Sequence, residues 1–111
     1  MRDIDITNEC LDFIEKQDSK LELKFYQLIE VITSIRVVNS NFVKKIQNTH
    51  FHELRIKSGN QYRVIIFAAD HLNFNECTKA VCLNGFIKKS NKDYVKAIKR
   101  AERVLEDYLK E

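Results

Sequence analysis

The order of periodicities along the chain predicts an α+β fold, with helices packed on one face of a small antiparallel sheet. Apolar residues recur at spacings of three and four through the first third of the chain. They alternate with polar ones from His52 to Phe67, and return to helical spacing from Tyr94 onward. Runs of helix followed by runs of strand belong to α+β architectures rather than to alternating βαβ folds. With 111 residues, no proline and only two glycines, the chain reads as one domain over residues 1–111, without linker or repeat.

The elements run in order. Ile4 to Ile6 is a short extended start. Thr7 or Asn8 caps a helix whose apolar stripe is Cys10, Leu11, Phe13 and Ile14. The pattern breaks at Gln17–Ser19, and a second helix carries Leu21, Phe25, Leu28, Ile29, Ile32 and Ile35. The two form an antiparallel hairpin whose acidic residues face water. Asn39-Ser40-Asn41 closes it, because these side chains compete for backbone hydrogen bonds. His52, Leu54 and Ile56 then alternate with Glu53, Arg55 and Lys57. Ser58-Gly59-Asn60 turns the chain, and Tyr62, Val64 and Ile66 alternate with Arg63, Ile65 and Phe67. A polar connection from Asp70 to Thr78 leads to a third strand, Lys79–Ile87, in which Gly85 marks a bulge or a close approach. The closing helix repeats Tyr94, Ala97, Ile98, Ala101, Val104, Leu105 and Tyr108.

Charge is divided unevenly. Residues 1–30 hold eight acidic and four basic side chains, and residues 31–111 hold fifteen basic and eight acidic, so nets of −4 and +7 sum to +3. Such a chain presents a positive face, to a polyanion or simply to solvent. No apolar run approaches a membrane span, and the start lacks the apolar stretch of a signal peptide, so a cytoplasmic protein with no membrane partner is expected. Cys10, Cys77 and Cys82 form no C-x-x-C pair and read as small buried hydrophobes. His50 and His52 lack a second ligand cluster, so neither a metal nor another cofactor is expected.

The basic residues of the strands fall in a pattern. Arg55 and Lys57 lie two apart on one strand, Arg63 returns on its partner, and Lys88, Lys89 and Lys92 follow the third, so cations from three strands converge near one end of the sheet. Convergent arginines and lysines suit a phosphodiester. A metal-free ribonuclease must stabilise the charged phosphorane formed by attack of the 2′-hydroxyl, and fixed cationic donors supply that. Arg63 is a polar position on a strand whose other face is apolar. Its side chain is therefore expected to be free to reach phosphate, and the fold to survive its removal. General acid and base are to be sought among His52, His50, Glu53, Tyr62 and the lysines. Plainer roles stand beside these: Arg55 in a surface ion pair with Glu53 or a C-terminal carboxylate, His52 as a satisfied half-buried ring, Tyr62 in the core, Phe86 packed rather than stacked on a base, and Lys88-Lys89 as an exposed strand end.

Four segments in sequence resemble a known group. Val43-Lys44-Lys45-Ile46, Phe51-His52-Glu53-Leu54-Arg55-Ile56, Tyr62-Arg63-Val64 and Leu83-Asn84-Gly85-Phe86-Ile87-Lys88-Lys89-Ser90, followed by a Lys/Arg/Ala-rich helix, resemble the RelE/ParE toxin superfamily, most closely its HigB-like branch. The resemblance implies a RelE-like fold and the toxin of a type II toxin–antitoxin system. It further implies a metal-independent endoribonuclease that cuts messenger RNA on the ribosome and inhibits translation, held in check by a cognate antitoxin of helix-turn-helix type. It makes Arg55 and Arg63 phosphate ligands, and places Lys88 and Lys89 near the scissile bond as further catalytic candidates. Lys44, Lys45, Lys57, Phe86 and Lys92 become candidates for contact with RNA or ribosome. The superfamily also contains ParE proteins, which inhibit DNA gyrase and cut nothing, and an inactive antitoxin-binding module would keep the same outline. The Gly-Phe-x-Lys-Lys segment favours the ribonuclease.

Overall fold

In a computed structural model, which describes residues 1–111, the chain runs β1 (Asp3–Ile6), α1 (Asn8–Glu15), α2 (Ser19–Ser34), β2 (Val43–Lys45), β3 (Phe51–Ser58), β4 (Asn60–Ala68), β5 (Lys79–Ile87) and α3 (Lys92–Leu109). Each early boundary has a local cause. The Thr7 side chain accepts the Cys10 N–H to start α1, and Asp18 accepts that of Leu21 to start α2. The second helix stops at Ser34. Ile35 leaves the helical stripe assigned to it, because it is the extended C-cap residue and is 48% exposed. Gly59 sits at the tip of the β3–β4 hairpin with φ of +77°, a conformation that only glycine adopts without strain.

The sheet has five strands in the order β1-β5-β4-β3-β2. Strands β2 to β5 are antiparallel, while β1 adds to β5 in parallel, so the expectation of a purely antiparallel sheet needs that correction. The short β2, within the Val43–Ile46 segment, was not legible as a strand because a run of three residues shows no periodicity.

Helices cover both faces of the sheet, not one. Alternation along β3, β4 and β5 sends Leu54, Ile56, Val64, Ile66 and Cys82 toward α1 and α2, where Ile14, Leu21, Phe25 and Ile32 meet them. The intervening residues Phe51, Ile65, Val81 and Leu83 face Ala97, Ala101 and Leu105 of α3. The sequence hid this second core because its strand positions include Glu53, Arg55 and Arg63, which mimic a solvated face. All three cysteines are buried and free, and burial pushes the Cys10 thiol up to about 12.

Two irregularities shape β5. The ladder with β4 slips so that Ile65 pairs Asn84 while Ile66 pairs Cys82, and Leu83 and Asn84 therefore both serve the α3 face. The bulge lies before Gly85. Gly85 itself is a close approach: a Cβ there would stand 2.4 Å from the Phe13 ring of α1. The β4–β5 connection is more ordered than its polarity suggests. It contains a single 3-10 turn at Phe74–Glu76, Phe74 is buried, and the Arg2 guanidinium lies 4.5 Å above that ring.

Candidate functional site

Register places three predicted residues in one row. Arg55 of β3 pairs with Arg63 of β4, which pairs with Phe86 of β5. Cross-strand partners share a face, and this row lies on the α3 face, near the N-terminal end of that helix. Lys57 opposite Gln61 makes the next row outward, and the Gln61 carbonyl accepts the Lys88 N–H at 2.8 Å, which brings the end of β5 alongside. On the inner side, Lys44 pairs with Glu53. Two arginines directly opposite each other on a strand pair repel, and the one acid beside them, Glu53, offsets only one of the two charges.

Arg63 is not the free side chain that alternation predicted. Its side chain is 5% exposed, and its Nε lies 2.8 Å from Glu53 Oε1 in an ion pair whose carboxylate is 8% exposed. The Tyr94 hydroxyl of α3 donates to the same Oε1 at 2.6 Å and accepts from Arg63 Nε at 3.4 Å. The two terminal nitrogens donate to the Tyr62 carbonyl and to Gln61 Oε1, each at 3.1 Å. The cause of the burial is α3, whose first turns lie over this part of the sheet. Glu53, which interrupted the cations in the sequence, is the acid that neutralises Arg63. It is therefore not a surface partner for Arg55, which is half-buried and makes no side-chain hydrogen bond or ion pair.

Tyr94 joins the network to the open side. Burial first, and then its hydrogen bond to Glu53, raises its pKa, so it remains a donor. Phe86 meets its ring edge-on at 5.2 Å, and Lys88 Nζ lies 5.8 Å above it. Phe86 is thus half-buried against α3. Asp93 fixes the corner beyond, where its carboxylate accepts the N–H groups of Lys89 at 2.7 Å and Ser90 at 2.9 Å. These backbone donors, Lys89 first, hold its pKa below the usual carboxylate range. Lys89 and Lys92 project from this corner, exposed.

Other candidates lie elsewhere. Lys45 pairs with His52 on the opposite face, and its Nζ donates to the Thr49 carbonyl. His52 faces the α1–α2 core beside Phe74, ring centroids 5.7 Å apart, and burial followed by the charge of Lys45 lowers its pKa to about 4. It is buried rather than half-buried, and its Nδ1 has no hydrogen-bond partner, so the expectation of a satisfied ring is also corrected. His50 engages Glu102 at 2.8 Å, and Tyr62 is buried in the core. Sequence reasoning missed Tyr94, Gln61 and Asp93. The first was absorbed into a helical repeat, and nothing local marks the other two.

Arg55 and Lys88 present cationic donors at one open end of the sheet, and the buried carboxylate fixes Arg63 in place behind them. Of the three side chains that Arg63 touches, only Gln61 is exposed, and it is the one an incoming anion can displace.

Comparison with known proteins gives one family and one structure. No characterised protein sequence matches the chain. A crystal structure of the isolated E. coli RelE toxin is similar at 20% identity and a TM-score of 0.49, covering 90% of this chain and 98% of that one. Residues 12–106 match the model of the family described as Phage derived protein Gp49-like (DUF891). That match agrees with the RelE/ParE superfamily expected from the motifs, without singling out the HigB-like branch. The chain, matched from the first helix to the last, belongs to the Gp49-like family.

Proposed function

We propose that this protein is the toxin of a type II toxin–antitoxin pair and a metal-independent endoribonuclease that cleaves messenger RNA at the ribosome. The observation that carries the reading is the row Arg55–Arg63–Phe86, in which two facing arginines have a single acid, Glu53, tied to one of them. An anion between the arginines relieves their repulsion. Phosphate is the anion that matches guanidinium geometry in two-point contact.

In this reading Arg63, oriented by Glu53 and Tyr94, and Arg55 hold the oxygens of the scissile phosphate. Both stabilise the charge that builds up as the 2′-oxygen attacks. Lys88 and Lys89, at the open corner, are in this reading the groups that give the leaving 5′-oxygen its proton. Lys57, Lys44 and Lys92 extend the positive surface along the RNA. A neutralising antitoxin is required by the same reading, since a free ribonuclease of this kind arrests its host.

One observation favours a second reading. No imidazole stands at the cationic corner, because His52 lies on the other face, His50 is engaged with Glu102, and His71 lies in the connection after β4, where its Nδ1 accepts the Asn73 N–H. A ParE-like inhibitor of gyrase needs only a binding surface there. Mapping RNA 5′ ends after induction in cells decides between them. Codon-phased cuts support the ribonuclease, while broken DNA with intact messages overturns it in favour of the inhibitor.

A further inference from the structure

Beside the cationic row, at its β3 end, a cleft of about 370 Å³ lies between α2 and the edge of β3. Strand β2 covers β3 only from His52 to Leu54. Beyond that, the Phe42 carbonyl accepts the Arg55 N–H and the Lys24 ammonium donates to the Lys57 carbonyl, leaving the rest of the edge open. Leu28, Val31, Phe42 and Ile56 give the cleft an apolar floor. Three cations, Lys24, Arg55 and Lys57, surround it, and no carboxylate lines it. Val31 and Phe42 are 36% and 41% exposed and line the same cleft, so its apolar surface is contiguous rather than scattered.

We infer that this cleft docks an acidic amphipathic segment of a protein partner, aliphatic side chains seated on the floor and carboxylates paired with the three cations. Charge complementarity selects the occupant: an all-cationic rim repels a basic segment and orients an acidic one. The floor selects protein over nucleic acid. Three of its four apolar residues are aliphatic, whereas a nucleobase site needs flat stacking faces. Only one of the three cations, Lys24, belongs to α2; Arg55 and Lys57 come from β3, so the positive rim forms where the two elements meet. This inference rests on the toxin reading only for the partner's role, which would be that of the neutralising antitoxin. Docking here also covers Arg55 and Lys57 from the side, so one partner segment can bind and mask part of the cationic row together.

The test uses the full chain and a fluorescein-labelled helical peptide with leucines at i, i+3, i+4 and i+7 and glutamates elsewhere. A twin peptide has lysines in place of the glutamates. Val31→Asp and Lys24→Glu alter the cleft without touching the proposed RNA machinery, and Lys20→Glu makes the same charge change on α2 outside it. Thermal melts establish that all three variants fold. The glutamate peptide is expected to bind, the lysine twin about tenfold more weakly, and the two cleft variants to lose about tenfold while Lys20→Glu retains affinity. No binding overturns the inference, as does an equal loss with Lys20→Glu. So does competition by a single-stranded RNA that is itself sensitive to Val31→Asp, and so does self-association abolished by that variant, which would make the occupant a second copy. Growth arrest measured in parallel separates the two readings. Binding without arrest leaves the cleft standing and removes the toxin, and arrest without binding does the reverse.

Discussion

Glu53 of β3 and Arg63 of β4 are diagonal neighbours on one face of the sheet, one pair apart in register, with Oε1 and Nε 2.8 Å apart, and neither side chain is as much as a tenth exposed. Removing one partner of such a pair leaves a buried charge unpaired, at a cost of about 3–5 kcal/mol. Arg63→Ala is therefore expected to lower the melting temperature as well as abolish growth arrest, so the fold does not survive its removal unharmed. The pair replacement Glu53→Leu/Arg63→Met should recover most of the stability and none of the activity. A pair variant as unstable as the single one, measured by urea unfolding, would show that the network is not what stabilises this region.

How much of the fold and site was legible in the sequence is visible in this pair. Alternation located both residues on the correct strands and the correct face. It could not show that α3 returns over that face, because a helix-covered strand carrying Glu53, Arg55 and Arg63 has the same pattern as a solvated one. The hairpin tip at Gly59, a cap at Thr7 or Asn8, and the closing helix were legible because each has a local cause, whereas the Asp18 cap showed in the sequence only as a break in the apolar pattern. Tyr94, the residue joining Arg63 to Lys88, was legible only as one apolar position among seven in its helix. Which face of α3 it serves is decided by contacts to strands some thirty and forty residues away.

Gly85 is a second point where the sequence raised the correct question. With Phe13 Cδ2 2.4 Å from where a Cβ would stand, Gly85→Ala must push the ring away, for about 1–3 kcal/mol of destabilisation. Combining it with Phe13→Ala should restore part of the loss, since the two residues share one space. Denaturant curves for the two single variants and the double variant check this, and strict additivity would refute the contact.

Stability should fall on mild acidification through His52. Burial, assisted by Lys45, lowers the folded pKa to about 4 from 6.5, so the unfolded chain binds the proton first. The contribution is complete above about pH 6.5 and is lost as pH falls toward 4, amounting to at most about 3 kcal/mol. Urea unfolding between about pH 7 and pH 5 should show this slope in the parent chain and a shallower one in His52→Phe, which also removes the unpartnered Nδ1. Parallel slopes would mean that the ring titrates normally.

The basic surface predicts a salt dependence with a built-in control. Affinity for ribosomes should fall steeply between about 50 and 200 mM salt if Lys44, Lys88, Lys89 and Lys92 meet phosphates. Lys88→Ala should reduce the slope of log affinity against log salt by about 1. Lys45→Ala should leave it unchanged, because Lys45 lies on the other face with its ammonium on the Thr49 carbonyl. Equal effects of the two variants would mean that net charge, rather than this face, governs binding.

Tyr94 separates position from packing. Tyr94→Phe keeps the ring that Phe86 and Lys88 contact, and removes only the hydroxyl that donates to Glu53 at 2.6 Å. Loss of a hydrogen bond to a buried carboxylate should cost about 1.5–3 kcal/mol of stability. If the hydroxyl also holds Arg63 at the angle the phosphate requires, single-turnover cleavage on ribosomes should slow by about tenfold or more at unchanged RNA affinity, since the interaction acts in the transition state. Glu53→Gln, which still accepts from Tyr94 but no longer neutralises Arg63, should slow cleavage while preserving more of the fold than Glu53→Ala. Were Tyr94→Phe to cut at the parent rate once the folded fraction is accounted for, the hydroxyl would be structural, and the orientation of Arg63 would have to come from Glu53, Tyr62 and Gln61.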